Sequence, residues 1–325
     1  MRRVVFWLLL VVLLVPAVTL TVLRLVQPDG GLWVRLVSFA PLAVAPYVLA
    51  LLLVLGRLVV RRDGRRRWPW LPVAALVAAG LGLHVGWWAP LVTGTAPAAA
   101  AGAEPLTVMT SNGLQGGVDA IGLVQAASDE DVDVLVVEEV TTHQLDQMRA
   151  AGLDEGWPFA AGATGDGVMG TMVLSRFELG TPTRLGTRLG SWSVTVSAPD
   201  GELELVAAHA TPPTDPAQWR ADLVAVRSAA QDADLVVGDL NATLDHRSLQ
   251  RMLDDGLRDA AELTNAGWQP TWPMNGDYHL AGLPLPPAVA IDHVLVGPRL
   301  TALSTRTIRL DGTDHAALVA EVALR

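Results

Sequence analysis

The sequence predicts an α/β chain in two parts: three N-terminal transmembrane helices, followed by a two-sheet β-sandwich flanked by helices. Three observations predict it. Three apolar runs, each long enough to cross a bilayer, fall within the first 92 of 325 residues. The charge divides at the same place: residues 1–103 hold 10 Arg and 2 Asp, net +8, whereas residues 104–325 hold 13 Arg and 31 Asp or Glu, net −18. Beyond residue 105, short β-branched runs alternate with helical patterns and turn signals.

The first run, Val4–Leu23, has 20 residues without a charge; Phe39–Gly56 has 18 and Pro69–Val92 has 24. At about 1.5 Å of rise per residue, each can span a hydrocarbon core roughly 30 Å thick. Pro16, Pro41, Pro46 and Pro72 lie in or near these runs, and membrane helices tolerate proline. A cleaved signal peptide fits the Met-Arg-Arg start but not the length of the run or the two spans after it. Arg2 and Arg3 precede the first span, and Arg57, Arg61, Arg62, Arg65, Arg66 and Arg67 fill the second connection. The positive-inside rule therefore places the N-terminus in the cytoplasm and everything after Val92 outside the cell. His84 lies in the third span with no acidic partner in the spans.

Thr93–Glu104 has no apolar period and reads as an Ala/Gly/Pro tether. The predicted organisation is a membrane domain over 1–92, a linker over 93–105 and one domain over 106–325. Strands are expected at Leu106–Ser111, Val132–Val137, Thr171–Leu174, Ser191–Ser197, Leu203–Ala208, Leu235–Val237, Ala290–Val296 and Ala316–Val322. Pro199-Asp200-Gly201 marks a hairpin turn. Helical patterns cover Ala120–Ser128, His143–Ala151, Pro216–Ala230 and Arg247–Asp254. Strands mixed with helices and hairpins imply two sheets face to face with helices outside.

Six short polar motifs flank these strands, most of them at the end of an apolar, β-branched run. In order they are Thr110-Ser111-Asn112, Glu138-Glu139-Val140, Ala208-His209-Ala210, Gly238-Asp239-Leu240-Asn241, Ile291-Asp292-His293 and Thr313-Asp314-His315. Carboxylates, Asn amides and His gathered at a sheet edge suit a hard divalent cation and a phosphate ester. The chain has no Cys, so disulfides and thiolate metal sites are excluded. It also has no Lys, and its Ala, Val, Leu, Gly and Arg bias suggests a GC-rich bacterial genome.

The ordered set resembles the endonuclease/exonuclease/phosphatase superfamily, the DNase I-like fold, over residues 106–325. With the three spans it is similar to actinobacterial membrane proteins of that superfamily, including the teicoplanin-resistance type with an external catalytic domain. The resemblance implies Mg²⁺ or Mn²⁺ as cofactor, with Glu139 the prime metal ligand and Asn112 and Asp314 beside it. Asp239 is expected to hold or deprotonate the attacking water, Asn241 to help bind phosphate, His315 to contact a phosphate oxygen or move a proton, Asp292 to orient His315, and His209 to meet the developing charge. Glu138 stands where the family has Gln, and Leu114 where some relatives have an acid, which bears on whether one metal binds or two. Arg176 and Trp272 match positions near the family's site. His293, on the opposite strand face from Asp292, is expected to be structural, and His143, His246 and His279 match nothing.

The expected activity is phosphoester hydrolysis. A domain at −18 is a poor general binder of nucleic acid, because nonspecific affinity comes from neutralising phosphates with cations. A tether to the outer membrane face raises the local concentration of lipid head groups. The expected substrate is therefore a lipid-linked phosphate or pyrophosphate of the cell envelope, with a polyprenyl carrier as one candidate. An extracellular tethered nuclease and an inactive sensor or assembly module are the alternatives. The sequence is silent on oligomeric state.

Overall fold

The computed structural model describes residues 2–60, 70–280 and 282–325. Arg61, Arg62, Arg65, Arg66, Arg67 and Pro69 lie outside the described residues, as do the side chains of Arg2 and Arg3. The chain divides into two compact units, Met1–Pro90 and Leu91–Arg325.

The first unit contains α1 (Arg2–Val26), α2 (Gly31–Val37), a 3-10 turn (Ala40–Ala43) leading into α3 (Val44–Val60), and α4 (Leu71–Trp88); α5 (Pro90–Thr93) continues into the second unit. Among the described residues, three helical stretches are long and apolar enough to cross a membrane: Val4–Val26, Ala40–Val59 and Leu71–Trp88, with mean hydropathies of 2.7, 2.3 and 1.5. The second begins as a 3-10 turn with Pro41 in its first turn, where the missing N–H costs nothing. Phe6, Leu10, Ala17, Ala43, Tyr47, Ala50, Val54 and Val77 make the bundle interior, while Leu8, Val12, Leu52 and Leu76 face outward. His84 has partners after all. Its Nε2 lies 2.9 Å from Thr21 Oγ1, which lies 2.8 Å from the Tyr47 hydroxyl. Polar groups in hydrocarbon need internal partners, and these three satisfy one another. Gly80 makes room for the ring: a Cβ there would stand 2.6 Å from Tyr47.

The second unit runs β1 (Leu106–Asn112), α6 (Ala120–Asp129), β2 (Val134–Glu138), α7 (Thr142–Ala150), α8 (Leu153–Gly156), β3 (Phe159–Ala163), β4 (Thr171–Ser175), β5 (Thr183–Arg184), β6 (Trp192–Ala198) and β7 (Gly201–His209). It continues with α9 (Pro216–Ala229), β8 (Leu235–Asp239), α10 (Arg247–Asp254), β9 (Arg258–Asp259), α11 (Ala260–Leu263), β10 (His279–Leu280), β11 (Leu283–Pro284), β12 (Asp292–Val296), β13 (Leu300–Arg309) and β14 (Ala316–Leu324). Side-chain caps start the crossover helices: Asp119 accepts from Ile121 N, and Asp215 accepts from Gln218 N with Pro216 following.

Two six-stranded sheets form, ordered β13-β14-β1-β2-β4-β3 and β5-β6-β7-β8-β12-β9. In each, one parallel pair (β1 with β2, β7 with β8) is joined through a helix, α6 or α9. Alternation sorts the side chains. Val108, Val134, Val136, Val173, Leu205, Leu235, Val237 and Val294 fill the space between the sheets. Met109, Leu135, Val137 and Leu174 turn outward against Leu123, Ala127, Leu145 and Met148 of α6 and α7.

The segment before β1 is not a free tether. Leu91 and Gly94 offer carbonyls to Gly267 N and Asn265 Nδ2, Pro97 accepts from Thr301 Oγ1, and Ala100 N donates to Leu324 O. A stretch without an apolar period is held here by its backbone groups, which periodicity does not read.

Candidate active site

Strand pairing explains why six separated motifs meet. Asn112 pairs with Glu138 at one end of the first sheet, and His209 and Asp292 both pair with Asp239 at one end of the second. Asn112, His209, Asp239 and Asp292 share strand parity with the inward-facing core residues, so the site is the polar end of the inter-sheet core. All four are at most 2% exposed, and Asp314 and His315 only 4% and 6%.

Asp239 is the hub. Its Oδ2 accepts from Asn112 Nδ2 at 3.0 Å and from Asn241 Nδ2 at 3.2 Å, and its Oδ1 accepts from Asn241 N at 2.8 Å. Glu139 accepts from Asn112 Nδ2 at 3.3 Å and from Gln115 N at 2.8 Å. His315 Nδ1 lies 2.9 Å from Asp292 Oδ2, and its Nε2 faces Asp239 at 3.9 Å and Asp314 at 4.0 Å. His209 Nε2 faces Glu139 at 3.8 Å and Asp239 at 3.9 Å. These last four separations exceed hydrogen-bond length, so both rings point at the carboxylates without being spent on them.

The backbone is bent to make this arrangement. Glu139 and Asn241, each just past a strand end, have φ of +54° and +48°, a conformation that non-glycine residues rarely adopt and that concentrates at functional positions. Gly238, at φ +139°, passes so close to β7 that a Cβ would stand 2.1 Å from Ala208 O.

Electrostatics separates the groups. Burial raises Asp239 to about 7, with Asp292 adding to the rise and His315 opposing it. Burial also raises Glu139. Burial would lower His315, but the charge and hydrogen bond of Asp292, with Asp239 and Asp314, push it up to about 10. Burial, helped by the nearby His315, lowers His209 to about 3. Burial would raise Asp292, yet His315 holds it below the usual carboxylate value. One histidine is thus cationic and the other neutral at pH 7.

The sequence profile of the Endonuclease/Exonuclease/phosphatase family matches residues 109–315. The chain belongs to this family. It is a phosphoester hydrolase by that membership, and the two-sheet unit has the DNase I-like fold. An endonuclease/exonuclease/phosphatase from Beutenbergia cavernae is 18% identical with a TM-score of 0.54, over 68% of this chain and 72% of that one. D. rerio TDP2, complexed with a single-strand DNA product, is 16% identical at TM-score 0.55, over 67% and 99%. The Bacteroides thetaiotaomicron mannosyl-6-phosphatase Bt3783 is 14% identical at 0.51, over 67% and 99%. At these identities the likeness is one of fold. No curated protein matches the chain.

The residues fit the divalent ion on which this family generally depends. Asp239, Asp292 and His315 offer ligand atoms within 4.8 Å of one another, and Glu139 and Asp314 add hard oxygen donors. Because His315 Nδ1 is engaged by Asp292, that pair is first a hydrogen-bonded couple, and Glu139, Asp239 and Asp314 are the better oxygen ligands. Glu138 Oε2, Asp292 Oδ1 and His209 Nδ1 are buried without a hydrogen-bond partner among the described residues. A buried set of carboxylates raised by mutual repulsion and burial is one that a cation would stabilise.

The eight predicted site residues come together; other expectations shift. Glu138 adds no side chain to the mouth. It shares the inward face of Val134 and Val136, accepts from Thr110 Oγ1 at 2.7 Å, and burial holds its carboxyl well above the usual range. Arg176 lies at the opposite sheet end, paired with Asp131 and Asp133, because β4 runs antiparallel to β2 and carries its C-terminus away from Glu138. His293 bonds Asp259 and Ala242 O on the far strand face. His246 is buried against Trp219, with rings 5.1 Å apart, while His143 and His279 are exposed. Sequence reasoning missed Tyr278, whose hydroxyl donates to Asp314 Oδ2 at 3.1 Å beside Trp272 Nε1 at 2.9 Å. Thr313 stood within a motif but was given no role; its hydroxyl donates to Asn112 O and accepts from His315 N. An aromatic in a Gly- and Pro-rich loop carries no periodic signal.

Proposed function

We propose that the chain is a membrane-anchored, extracytoplasmic phosphoester hydrolase that uses Mg²⁺ or Mn²⁺ on a lipid-linked phosphate or pyrophosphate of the cell envelope. The observation that carries this reading is the joining of a phosphoesterase site in a unit of charge −18 to three membrane-length helices in one chain. The arginine content of the flanks supports the extracytoplasmic orientation.

Glu139, Asn112 and Asp314 would hold the ion, with Asp239 able to join them. When bound, the ion polarises the phosphoryl group and offsets the charge that builds on it. Asp239, fixed by Asn112 and Asn241, orients water and takes its proton. Cationic His315, fixed by Asp292, meets a phosphate oxygen. Neutral His209 serves as hydrogen-bond partner to the developing charge. Asn241, whose Nδ2 also donates to Ala210 O at 2.9 Å, holds the loop that presents Asp239. No covalent enzyme intermediate is required.

A nuclease reading draws on the DNA-bound TDP2 neighbour. Against it, Arg149, Arg176, Arg188, Arg227, Arg299 and Arg306 each face a carboxylate of the same unit, which leaves them poorly placed to line a phosphate groove. The inactive-module reading would need a broken site, and each expected side chain is present. The test is product release by the full chain in detergent with Mn²⁺, from polyprenyl pyrophosphate and from plasmid DNA in parallel. Phosphate release with intact DNA is expected; nicked DNA with intact pyrophosphate would replace this reading with the nuclease.

A further inference from the structure

Tyr278 to Ile291 contains no Asp, Glu, Lys or Arg. β10 and β11 pair there as a hairpin, His279 with Pro284 and Leu280 with Leu283. Leu283 is 71% exposed and Tyr278 40%, and Pro284 and Pro286 are exposed as well. Leu285 N donates to Tyr278 O and closes the base. That base is anchored in the active site: Tyr278 donates to Asp314, and its ring centroid lies 4.5 Å from that of Trp272. On the loop before β4, at the sheet end that carries Glu138, Met169 is also exposed. Single exposed apolar residues need no explanation, but an uncharged projecting hairpin at the rim of a catalytic centre does.

We propose that the exposed Tyr278, Leu283, Pro284 and Pro286 of this hairpin dock on a lipid surface, entering the interfacial layer so that the head group of an embedded substrate reaches Asp239 and His315. This rests on the lipid-linked reading above. A bilayer is the occupant because the chain carries three membrane-length helices of its own, so lipid is always within reach. An acidic unit is repelled by anionic head groups, which leaves an uncharged element as the means of contact. Pro284, Pro286 and Pro287 fix backbone angles and so reduce the freedom lost on insertion. Tyr278, apolar in its ring and polar at its tip, has the character of residues at membrane interfaces.

The absence of Cys allows a clean test. The full chain is placed in phosphatidylcholine/phosphatidylglycerol nanodiscs with a fluorophore on Leu283→Cys or, as control, on Val224→Cys, a 64% exposed site on α9. Doxyl-labelled lipids should quench the label at 283 and leave that at 224 bright. Separately, Leu283→Asp with Leu285→Asp should lower kcat/KM on embedded polyprenyl pyrophosphate about tenfold or more, since charge at the interface opposes insertion, while hydrolysis of soluble bis-p-nitrophenyl phosphate stays unchanged. An unquenched label at 283, or equal loss on both substrates, would overturn the proposal. A wild-type chain that cleaves the soluble ester but not the lipid would sink the lipid-linked reading instead, and the quenching result would still decide whether the hairpin docks.

Discussion

Asp292 and His315 form a buried pair, Oδ2 to Nδ1 at 2.9 Å, and each sets the other's protonation state. The carboxylate holds the imidazole cationic, and the imidazolium holds the carboxylate ionised. Asp292→Asn breaks this arrangement while keeping the shape. Activity should fall by roughly 10²- to 10⁴-fold, the range for a positioned proton-transfer group. Because His315 is protonated below about 10 and loses its raising partner in the variant, the alkaline limb of the kcat–pH profile should move toward neutrality. An unmoved limb would show that His315 does not act as a cation.

The carboxylate cluster should make stability depend on pH and metal. Asp239 rises to about 7 on folding from an ordinary value of 3.8. Its stabilising share is therefore present below the unfolded value and lost as pH rises through about 7. Without metal, Tm should fall between pH 5 and pH 8. Mn²⁺ at a hundredfold excess over Kd should restore about 2.7 kcal/mol at pH 8, roughly 5–10 °C for a unit of this size. Differential scanning fluorimetry at both pH values, with and without Mn²⁺, checks this; Tm indifferent to Mn²⁺ at pH 8 would contradict it.

Gly238 cannot gain a side chain. A Cβ at 2.1 Å from Ala208 O, on backbone at φ +139°, forces β7 and β8 apart beneath Asp239. Gly238→Ala should cost at least about 2 kcal/mol of stability, measured by urea unfolding followed through a probe of the second unit. A cost below about 0.5 kcal/mol would contradict the close approach.

Orientation is testable with the same Cys-free background. Val224→Cys in intact cells should react with a membrane-impermeant maleimide, as the arginine distribution requires. Labelling only after cell lysis would place the catalytic unit in the cytoplasm.

The polar motifs were legible because each flanks an apolar, β-branched run, four at its end and two, Ile291-Asp292-His293 and Thr313-Asp314-His315, at its start, and strand pairing then brings them together. The two-sheet fold followed from the same runs and from capped helices such as Pro216–Ala229. β3 was not legible: Phe159-Ala160-Ala161-Gly162-Ala163 has little strand propensity and forms because β4 pairs with it. β13 was missed because its polar second half, Ser304 to Arg309, is shaped by pairing with β14. The direction of β4, and so the distance of Arg176 from the site, depends on sheet topology that no local pattern encodes.

The cluster around Asp239 should hydrolyse phosphoesters with a divalent ion. The most direct measurement is hydrolysis of bis-p-nitrophenyl phosphate by the full chain in detergent with and without Mn²⁺, alongside Asp239→Ala and Glu139→Gln variants of unchanged fold. Mn²⁺-dependent turnover that EDTA removes is expected, and both variants should lose about 10²-fold or more of it. Turnover that survives EDTA, or that persists in Asp239→Ala, would contradict it.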